Sequence, residues 1–235
     1  MKVSIIIPVY NEKKTIEPIL NKVFSAKLPL GMTYEVIVVD DASNDGTGKQ
    51  LAKIKGNFQL LTHHQNQGKG AAIITGLSKV TGDFVLIQDA DLEYNPGDYV
   101  RLLEPFKDKN VQVVYGSRLI NYPLRLFGKH KTPLPLHLVA NKFLTHLTNF
   151  LYGHKVTDME TGYKVFRRDL MASLNLKSIR FDFEPEVTAK ILKKGIKIME
   201  VPITVLPRSY AEGKKIGWRD GLIAIWTLIK YRIID

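Results

Sequence analysis

Short runs of apolar, mostly β-branched residues recur through the first half of the chain, and no other feature of the sequence constrains the fold as strongly. The runs are VSIIIPV (3–9), EVIVVD (35–40), FQLLTH (58–63), DFVLIQD (83–89) and VQVVYGS (111–117). Because their apolar character is continuous rather than alternating, they are typical of strands that are covered on both faces. Segments with helical character lie between them, at residues 13–26, 46–54, 69–80 and 96–106. This alternation predicts an α/β fold with a mostly parallel central sheet flanked by helices.

The second half of the chain has a different character. Residues 120–138 are rich in proline and in basic residues, and they are too irregular to form one element. The remaining segments are a helix candidate (138–153), a polar segment (157–169), a second helix candidate (185–195), a strand candidate (196–206) and a C-terminal segment with helical spacing (216–235). Neither a repeat nor a flexible linker separates the halves, so we expect them to share one sheet system.

Polar clusters follow the predicted strands, at the edge where open α/β sheets bind their ligands. They are YNE (10–12), DDASNDGT (40–47), HHQNQGKG (63–70) and DADLE (89–93). In the last cluster, Asp89 and Asp91 point to the same side of an extended chain, and their like charges repel each other. A solvated acidic turn is one interpretation. The other is a site for a hard divalent cation such as Mg²⁺ or Mn²⁺, bound together with a diphosphate.

The other polar clusters leave more than one interpretation open. Asp40 and Asp41 end a strand, where a carboxylate is placed to accept a hydrogen bond from a nucleobase or a sugar hydroxyl. The glycines and lysine of residues 66–70 suit a phosphate-binding turn, or equally a tight loop that packs a helix on the sheet. His63 and His64 lack metal-ligand spacing with the other histidines, and we assign them no role.

Charge and composition narrow the classes of partner. The chain has 34 Lys and Arg against 23 Asp and Glu, a net charge of +11, which favours anionic partners such as nucleic acid, an anionic membrane or phosphorylated small molecules. The absence of cysteine excludes disulfides, thiolate zinc sites and thiol nucleophiles. A strand begins almost at once and the longest apolar run (222–229) has eight residues, so we expect neither a signal peptide nor a spanning helix. The expected location is cytoplasmic, soluble or peripheral.

Taken in order, these segments resemble family 2 of the glycosyltransferases, which are inverting enzymes of the A-type fold. The motifs are IIIPVYNEKKTI, EVIVVDDASNDGT, NQGKGAAIITG, GDFVLIQDADLEYNPGD and VVYGSR. The second half resembles the polyprenyl-phosphate sugar transferases, the dolichyl-phosphate mannose and glucose synthase group, through TDMETGYKVFRRD, FDFEPEV and VPITVLPRSYAEGKKIGWRDG. The resemblance spans nearly the whole chain. It implies a single domain over 1–235, with a nucleotide-sugar-binding half (1–118) and an acceptor half (119–235) that ends in an amphipathic helix.

The resemblance also implies which residues bind the donor, a nucleotide-diphosphate sugar of the GDP-mannose or UDP-glucose type. The residues expected to contact it are Pro8, Tyr10, Glu12, Val39, Asp41, Asp89, Ala90, Asp91, Glu93, Arg208 and Lys214. Lys215 fits the position of Lys214 equally well. Asp89, Asp91 and Glu93 are the expected ligands of Mg²⁺ or Mn²⁺. Mannose synthases of this type often carry Gln at the position of Glu93, so the resemblance leaves the sugar and the nucleotide open.

On the acceptor side, the resemblance implies that Arg118 meets a substrate phosphate. Asp158 and Glu160 fall where the acceptor is expected; one of them is a candidate general base, or Asp158 caps and orients its neighbours. We therefore expect Asp91, Arg118 and Asp158 to be the catalytic residues. Basic residues around the acceptor half favour a polyprenyl or dolichyl phosphate, whose oxygen needs little deprotonation: Arg118, Arg125, Lys129, Lys131 and Lys142. The alternative acceptor is a hydroxyl of a polysaccharide or glycolipid.

A polyprenyl acceptor would require contact with a bilayer. The C-terminal segment places Leu222, Ile225, Trp226, Ile229 and Ile233 at helical spacing. Such a helix either packs on the domain or lies in the membrane interface. The sequence lacks zinc-finger spacing, an RNA-recognition motif and a basic heptad region, so we expect no nucleic-acid partner.

Overall fold

The computed structural model describes residues 1–120, 135–206, 208 and 217–234. In these parts of the chain, one sheet contains seven strands, in the spatial order β3-β2-β1-β4-β6-β5-β7. The strands are β1 (Lys2–Val9), β2 (Thr33–Asp40), β3 (Gln59–Thr62), β4 (Phe84–Ile87), β5 (Val113–Ser117), β6 (Lys164–Arg167) and β7 (Ile198–Pro202). All neighbours pair in parallel except β6, which runs antiparallel to both β4 and β5. The predicted α/β class and mostly parallel sheet are confirmed.

Helices cover both faces of this sheet. They are α1 (Ile16–Phe24), α2 (Thr47–Leu51), α3 (Lys69–Leu77), α4 (Tyr99–Leu103), α5 (Pro135–Tyr152), α6 (Arg168–Ser173), α7 (Phe183–Lys193) and α8 (Trp218–Ile233). In β1, Ile5 and Ile7 pack against the core that includes α1 and α4, whereas Ile6 packs against the core that includes α3 and α7. Burial on both faces is the reason that this strand is apolar without alternation.

The interpretation of residues 157–169 as a polar segment was wrong, because β6 lies within it, at the centre of the sheet. This strand has only four residues and begins and ends with a basic side chain, so its apolar pattern is too short to identify. Val165 packs into one core and Phe166 into the other. Lys164 is fully buried, donates a hydrogen bond to the Met159 carbonyl at 2.8 Å and lies over the Tyr115 ring. Pairing with strands on both sides therefore outweighs the polar composition.

Other predicted elements differ from the structure mainly at their ends. The predicted helix over 96–106 is a 3-10 turn, the short α4 and a second 3-10 turn, because Pro96 and Pro105 interrupt the helical hydrogen bonds. Helix α5 begins at Pro135, within the segment that we predicted to be irregular, and residues 121–134 lie outside the described residues. The predicted strand over 196–206 pairs regularly only between Ile198 and Pro202.

The segment that follows β7 returns to the edge where β1, β2 and β4 end. Val205 forms an antiparallel bridge with Tyr94, and the Leu206 N–H donates to the Glu93 carbonyl at 3.0 Å. This pairing places Arg208 beside the loop after β4, although the two are more than a hundred residues apart in sequence. The carboxyl edge of the sheet thus collects side chains from both halves of the chain.

Candidate active site

A partly buried lysine connects the first aspartate of the DADLE segment to the other half of the chain. Lys69, the first residue of α3, lies 2.8 Å from Asp89 and 2.8 Å from Glu184 in the first turn of α7. Burial disfavours its charged form, yet the two carboxylates outweigh burial and raise the pKa of Lys69 well above its ordinary value. Sequence reasoning placed Lys69 only in a candidate phosphate-binding turn or tight loop, and it assigned no role to Glu184. Their signals were a lysine at a glycine-flanked helix start and a glutamate in a helical first turn.

Asp91 and Glu93 meet Arg208 and Glu12 on the other side of the same loop. The Arg208 guanidinium lies 3.1 Å from Asp91 and 3.1 Å from Glu12, and its backbone N–H donates to Glu93 at 2.9 Å. Asp91 also accepts a hydrogen bond from the Glu93 N–H at 3.0 Å. The structure therefore brings together four residues that the sequence assigned to the donor.

Within the described residues, the carboxylates of this cluster outnumber the cations that contact them. Burial, together with the charges of Asp89 and Glu93, raises the pKa of Asp91 to about 6, against the opposing effect of Arg208. Within the described residues, however, no three acidic or histidine side chains converge on one point as in a preformed metal site. The carboxylates are the oxygen ligands that Mg²⁺ and Mn²⁺ prefer. In this structure, however, Asp89 forms an ion pair with Lys69, and Asp91 forms one with Arg208.

Asp41 organises the loop between β3 and α3. It is 2 % exposed, and its two carboxylate oxygens accept hydrogen bonds from the N–H groups of Gln67 (2.8 Å) and Gly68 (2.7 Å) and from the Asn66 side chain (2.9 Å). His63 lies 2.7 Å from the same carboxylate, which gives this histidine the structural role that its spacing did not reveal. A nucleotide contact by Asp41 stays a prediction.

The remaining donor residues from the first half lie at or near the ends of β1, β2 and β4. Pro8 pairs with Val39 across β1 and β2, and both residues are buried, as is Ala90 just beyond β4. Tyr10 is partly exposed directly after β1. The turn that follows is held by Asn11, whose side-chain oxygen accepts a hydrogen bond from the Asn44 N–H at 2.9 Å. These residues surround the acidic cluster, and their contacts with a nucleotide stay predictions.

Arg118 and Asp158 form one unit on the acceptor side of this edge. The Arg118 side chain donates to both oxygens of Asp158 at 2.7 Å each, and the Arg118 backbone N–H adds a third bond at 2.9 Å. Asp158 is fully buried, and both of its oxygens are occupied. Of the two roles that the sequence left open for Asp158, the geometry favours orienting Arg118.

Glu160 has an environment that no other described carboxylate of the site shares. Its Oε1 atom is buried and receives no hydrogen bond from the described residues. Burial and the nearby Glu184 raise the pKa of Glu160 to about 7, and Lys164 and Arg118 act in the opposite direction. Burial also lowers the pKa of Lys164 to about 8. A carboxyl and an amine that both titrate near neutral pH are typical of functional sites.

Comparisons with known proteins identify the family and the fold of this chain. A model of the family described as glycosyl transferase family 2 matches residues 4–174. The chain belongs to glycosyl transferase family 2. Its fold is similar to that of glucosyl-3-phosphoglycerate synthase from Mycobacterium tuberculosis, solved with Mn²⁺, UDP and glucosyl-3-phosphoglycerate, with a TM-score of 0.73, 22% identity, and coverage of 100% of this chain and 81% of that one. The predicted A-type glycosyltransferase fold is confirmed.

Three relatives within this family are similar to the chain in sequence. The dolichol-phosphate mannosyltransferase of Pyrococcus furiosus is 28% identical over 227 residues, which cover 92% of this chain and 60% of that protein. The low-salt glycan biosynthesis hexosyltransferase Agl6 of Haloferax volcanii is 30% identical, covering 99% and 53% respectively. The UDP-N-acetylglucosamine–dolichyl-phosphate N-acetylglucosaminyltransferase of Methanococcus voltae is 28% identical, covering 98% and 96%. The chain thus spans little more than half the length of the first two relatives.

Several residues that we assigned to this family 2 site lie outside the described residues. They are Lys214, its neighbour Lys215, and the basic residues Arg125, Lys129 and Lys131 of the acceptor half. Their roles stay predictions. The described edge of the sheet still contains acidic side chains near the donor motif and a partly buried arginine on the acceptor side.

Helices α5 and α8 of this family 2 chain pack against each other and leave an apolar surface exposed. Tyr152 at the end of α5 donates to the Leu228 carbonyl of α8 at 2.7 Å, and Leu228 is buried in the core. The C-terminal helix therefore packs on the domain. It also exposes large apolar side chains, as α5 does: Leu136, Val139, Phe143, Phe150, Trp218, Leu222, Trp226 and Ile233. Within the described residues, no helix combines the length and apolar character needed to cross a bilayer.

Proposed function

We propose that this chain transfers a hexose from a nucleotide-diphosphate sugar to a polyprenyl or dolichyl phosphate, with inversion, at the cytoplasmic face of a membrane. The observation that carries the proposal is the cluster of carboxylates around Asp91, next to the paired Arg118 and Asp158. The names of two relatives, a dolichol-phosphate mannosyltransferase and a dolichyl-phosphate N-acetylglucosaminyltransferase, support the choice of acceptor. The sugar and the base are to be determined by experiment.

We infer that Asp91, with Asp89 and Glu93, holds a divalent cation. Burial beside two other carboxylates raises the pKa of Asp91, and a cation would relieve this repulsion. Crystal structures of similar fold contain Mn²⁺ or Mg²⁺ with UDP, which supports the choice of metal. Bound there, Mg²⁺ or Mn²⁺ would neutralise the charge of the departing diphosphate. Arg208, which binds Asp91 and Glu12 in this structure, would add a second positive charge there.

On the acceptor side, we assign Arg118 to the phosphate of the lipid. A phosphate oxygen is anionic near neutral pH and attacks without a general base, so positioning and charge stabilisation dominate the rate. Asp158 orients the Arg118 side chain through two hydrogen bonds of 2.7 Å. In this proposal Asp158 is therefore a positioning residue that acts through Arg118. The assignment of Asp91 and Arg118 as catalytic residues is retained.

The lipid tail of this acceptor would reach the site from a bilayer, and we assign the exposed apolar surface of α5 and α8 to membrane contact. Trp218 and Trp226 are 74% and 65% exposed and suit the interfacial region. Arg219 and Lys230 on α8 supply positive charges for anionic lipids, worth ~1 kcal/mol each near the surface.

A hydroxyl acceptor is the second candidate, and Glu160 is the observation that favours it. A hydroxyl requires a general base, which contributes ~10²–10⁴-fold to the rate. A half-buried carboxyl with a pKa raised to about 7 meets that requirement better than Asp158, whose oxygens are occupied. The acceptor class is therefore the first property to test.

The test is nucleoside diphosphate release from a panel of nucleotide sugars, with and without Mn²⁺ and with and without polyprenyl phosphate in detergent. We expect turnover to require both metal and lipid phosphate, and to be lost in Asp91→Asn. Asp169→Asn is the matched control, because Asp169 lies on α6 with its side chain 95% exposed. Metal-dependent binding of a nucleotide sugar, without stimulation of nucleoside diphosphate release by the lipid phosphate, would indicate that the acceptor is a hydroxyl. Failure of every nucleotide sugar to bind would refute the assignment.

A further inference from the structure

The Oε1 atom of Glu160 is a buried acceptor that the described protein leaves unsatisfied. Folded proteins rarely bury a carboxylate oxygen without a hydrogen bond, because an unsatisfied charged acceptor is costly. Glu160 as a whole is half-buried, whereas its Oε1 atom is buried. An arrangement of this kind is retained where a donor arrives from outside the protein.

The charged neighbours of Glu160 come from four parts of the fold, and each has its own partners. Arg118, after β5, is bound to Asp158 in the loop that also contains Glu160. Lys164, on β6, donates to the carbonyls of Met159 and Thr161. On α7, Glu184 is bound to Lys69 at 2.8 Å. Arg118 and Lys164 thus donate to other acceptors, and neither donates a hydrogen bond to the Oε1 atom of Glu160.

The position of Glu160 indicates which group would donate the missing hydrogen bond to Oε1. On one side lies the pair of Arg118 and Asp158, which we assigned to the acceptor. On the other side, Glu184 shares Lys69 with Asp89 of the donor motif. A hexose that passes from the diphosphate to the acceptor must occupy the space between these two groups. Its hydroxyls are the hydrogen-bond donors that this space would contain.

We propose that Glu160 is a specificity residue whose Oε1 atom accepts a hydrogen bond from a hydroxyl of the transferred hexose. This inference rests on the proposed function and adds to it a residue that recognises the sugar rather than the nucleotide. Because the hydrogen bond is made to the hexose, it contributes to binding of the nucleotide sugar and not to binding of the nucleoside diphosphate.

The experiment is isothermal titration of the wild-type chain, Glu160→Gln and Asp169→Asn with UDP, UDP-glucose, GDP and GDP-mannose in the presence of Mn²⁺. Glu160→Gln preserves the shape of the side chain and removes its charge. Hydrogen bonds to charged groups are roughly twice as strong as neutral ones, so we expect roughly tenfold weaker binding of the preferred nucleotide sugar. Binding of the matching nucleoside diphosphate is expected to be unchanged, and Asp169→Asn is expected to match wild type for both ligands.

Deoxy analogues of the preferred donor locate the hydroxyl. Wild type is expected to lose affinity for one monodeoxy sugar, and Glu160→Gln is expected to be insensitive to that same deletion, since the two changes remove one hydrogen bond. Equal loss for nucleotide sugar and nucleoside diphosphate would show a general effect on the fold and overturn the proposal. Unchanged donor binding with a raised acceptor KM would assign Glu160 to the acceptor and overturn it as well. If wild type binds none of the four ligands, the proposed function itself fails.

Discussion

Replacing Glu160 by glutamine is expected to stabilise the protein at alkaline pH while it weakens function. In the folded chain the pKa of Glu160 is raised from the ordinary 4.5 to about 7, with burial as the main cause. The unfolded chain therefore ionises this carboxyl more readily than the folded chain, and the folded state loses stability as pH rises from 4.5 to about 7. By linkage the full cost above pH 7 is about 3 kcal/mol.

Two effects reduce the gain in folding stability that Glu160→Gln would give. Glutamine places an amide where no described group donates to Oε1, and an unsatisfied amide costs about 1 kcal/mol or more. Lys164 also loses one of its opposite charges, although Glu184 and Asp158 remain near it. The expected net stabilisation at pH 8 is about 1–2 kcal/mol. For a chain of 235 residues this corresponds to a rise in Tm of roughly 2–8 °C.

Urea unfolding of wild type and Glu160→Gln, at pH 8 and at pH 4.5, measures this effect. The difference in unfolding free energy between the two proteins is expected to be present at pH 8. It is expected to vanish or reverse at pH 4.5, where the Glu160 carboxyl of the folded chain is protonated. Asp169→Asn serves as the exposed control and should change neither value. A Glu160→Gln protein that is less stable at pH 8, or a difference that is independent of pH, would refute the account of Glu160 as a strained buried acid.

Three further substitutions test other parts of the site. Arg118→Lys removes the two-pronged contact with Asp158, and initial-rate kinetics should show at least a tenfold rise in acceptor KM, whereas an unchanged KM would contradict the assignment of Arg118. Asp41→Asn deprives the loop amides of a charged acceptor, so urea unfolding should show a loss of about 2–3 kcal/mol; a loss below 0.5 kcal/mol would argue against its structural role. Trp226→Ala should weaken sedimentation with anionic vesicles several-fold while turnover in detergent stays within twofold, and equal binding would exclude this residue from the membrane contact.

Partly buried ion pairs connect the elements that meet at this edge of the sheet. Lys69 joins Asp89 to Glu184, and Arg118 joins the end of β5 to Asp158, so each cation links the two halves of the chain. Such pairs contribute more to the placement of the groups than to net stability, because desolvation offsets much of their attraction. Because the Oε1 atom of Glu160 receives no hydrogen bond from the described residues, stability at this position is lower than it could be.

The amino-acid sequence by itself determined the class of fold and the place of the donor site. Strands β1, β2, β4 and β5 are continuous apolar runs, which is a local property that can be identified without knowing their neighbours. Asp89, Asp91 and Glu12 directly follow such runs, and parallel strands end at the same edge of a sheet. Their proximity was therefore predictable from residue order alone.

Only the tertiary structure decided which charges meet and which oxygen stays unsatisfied. Strand β6 is too short and too polar to identify locally, and it forms because strands on both sides pair with it. Glu184 lies 115 residues from Lys69 in sequence, and both carboxylate partners of the Arg208 guanidinium lie more than a hundred residues from it. Glu160 likewise has charged neighbours from different elements, namely β6, α7 and the end of β5. The physical reason is that pairing, burial and pKa depend on distances in space, and spacing along the chain does not set those distances.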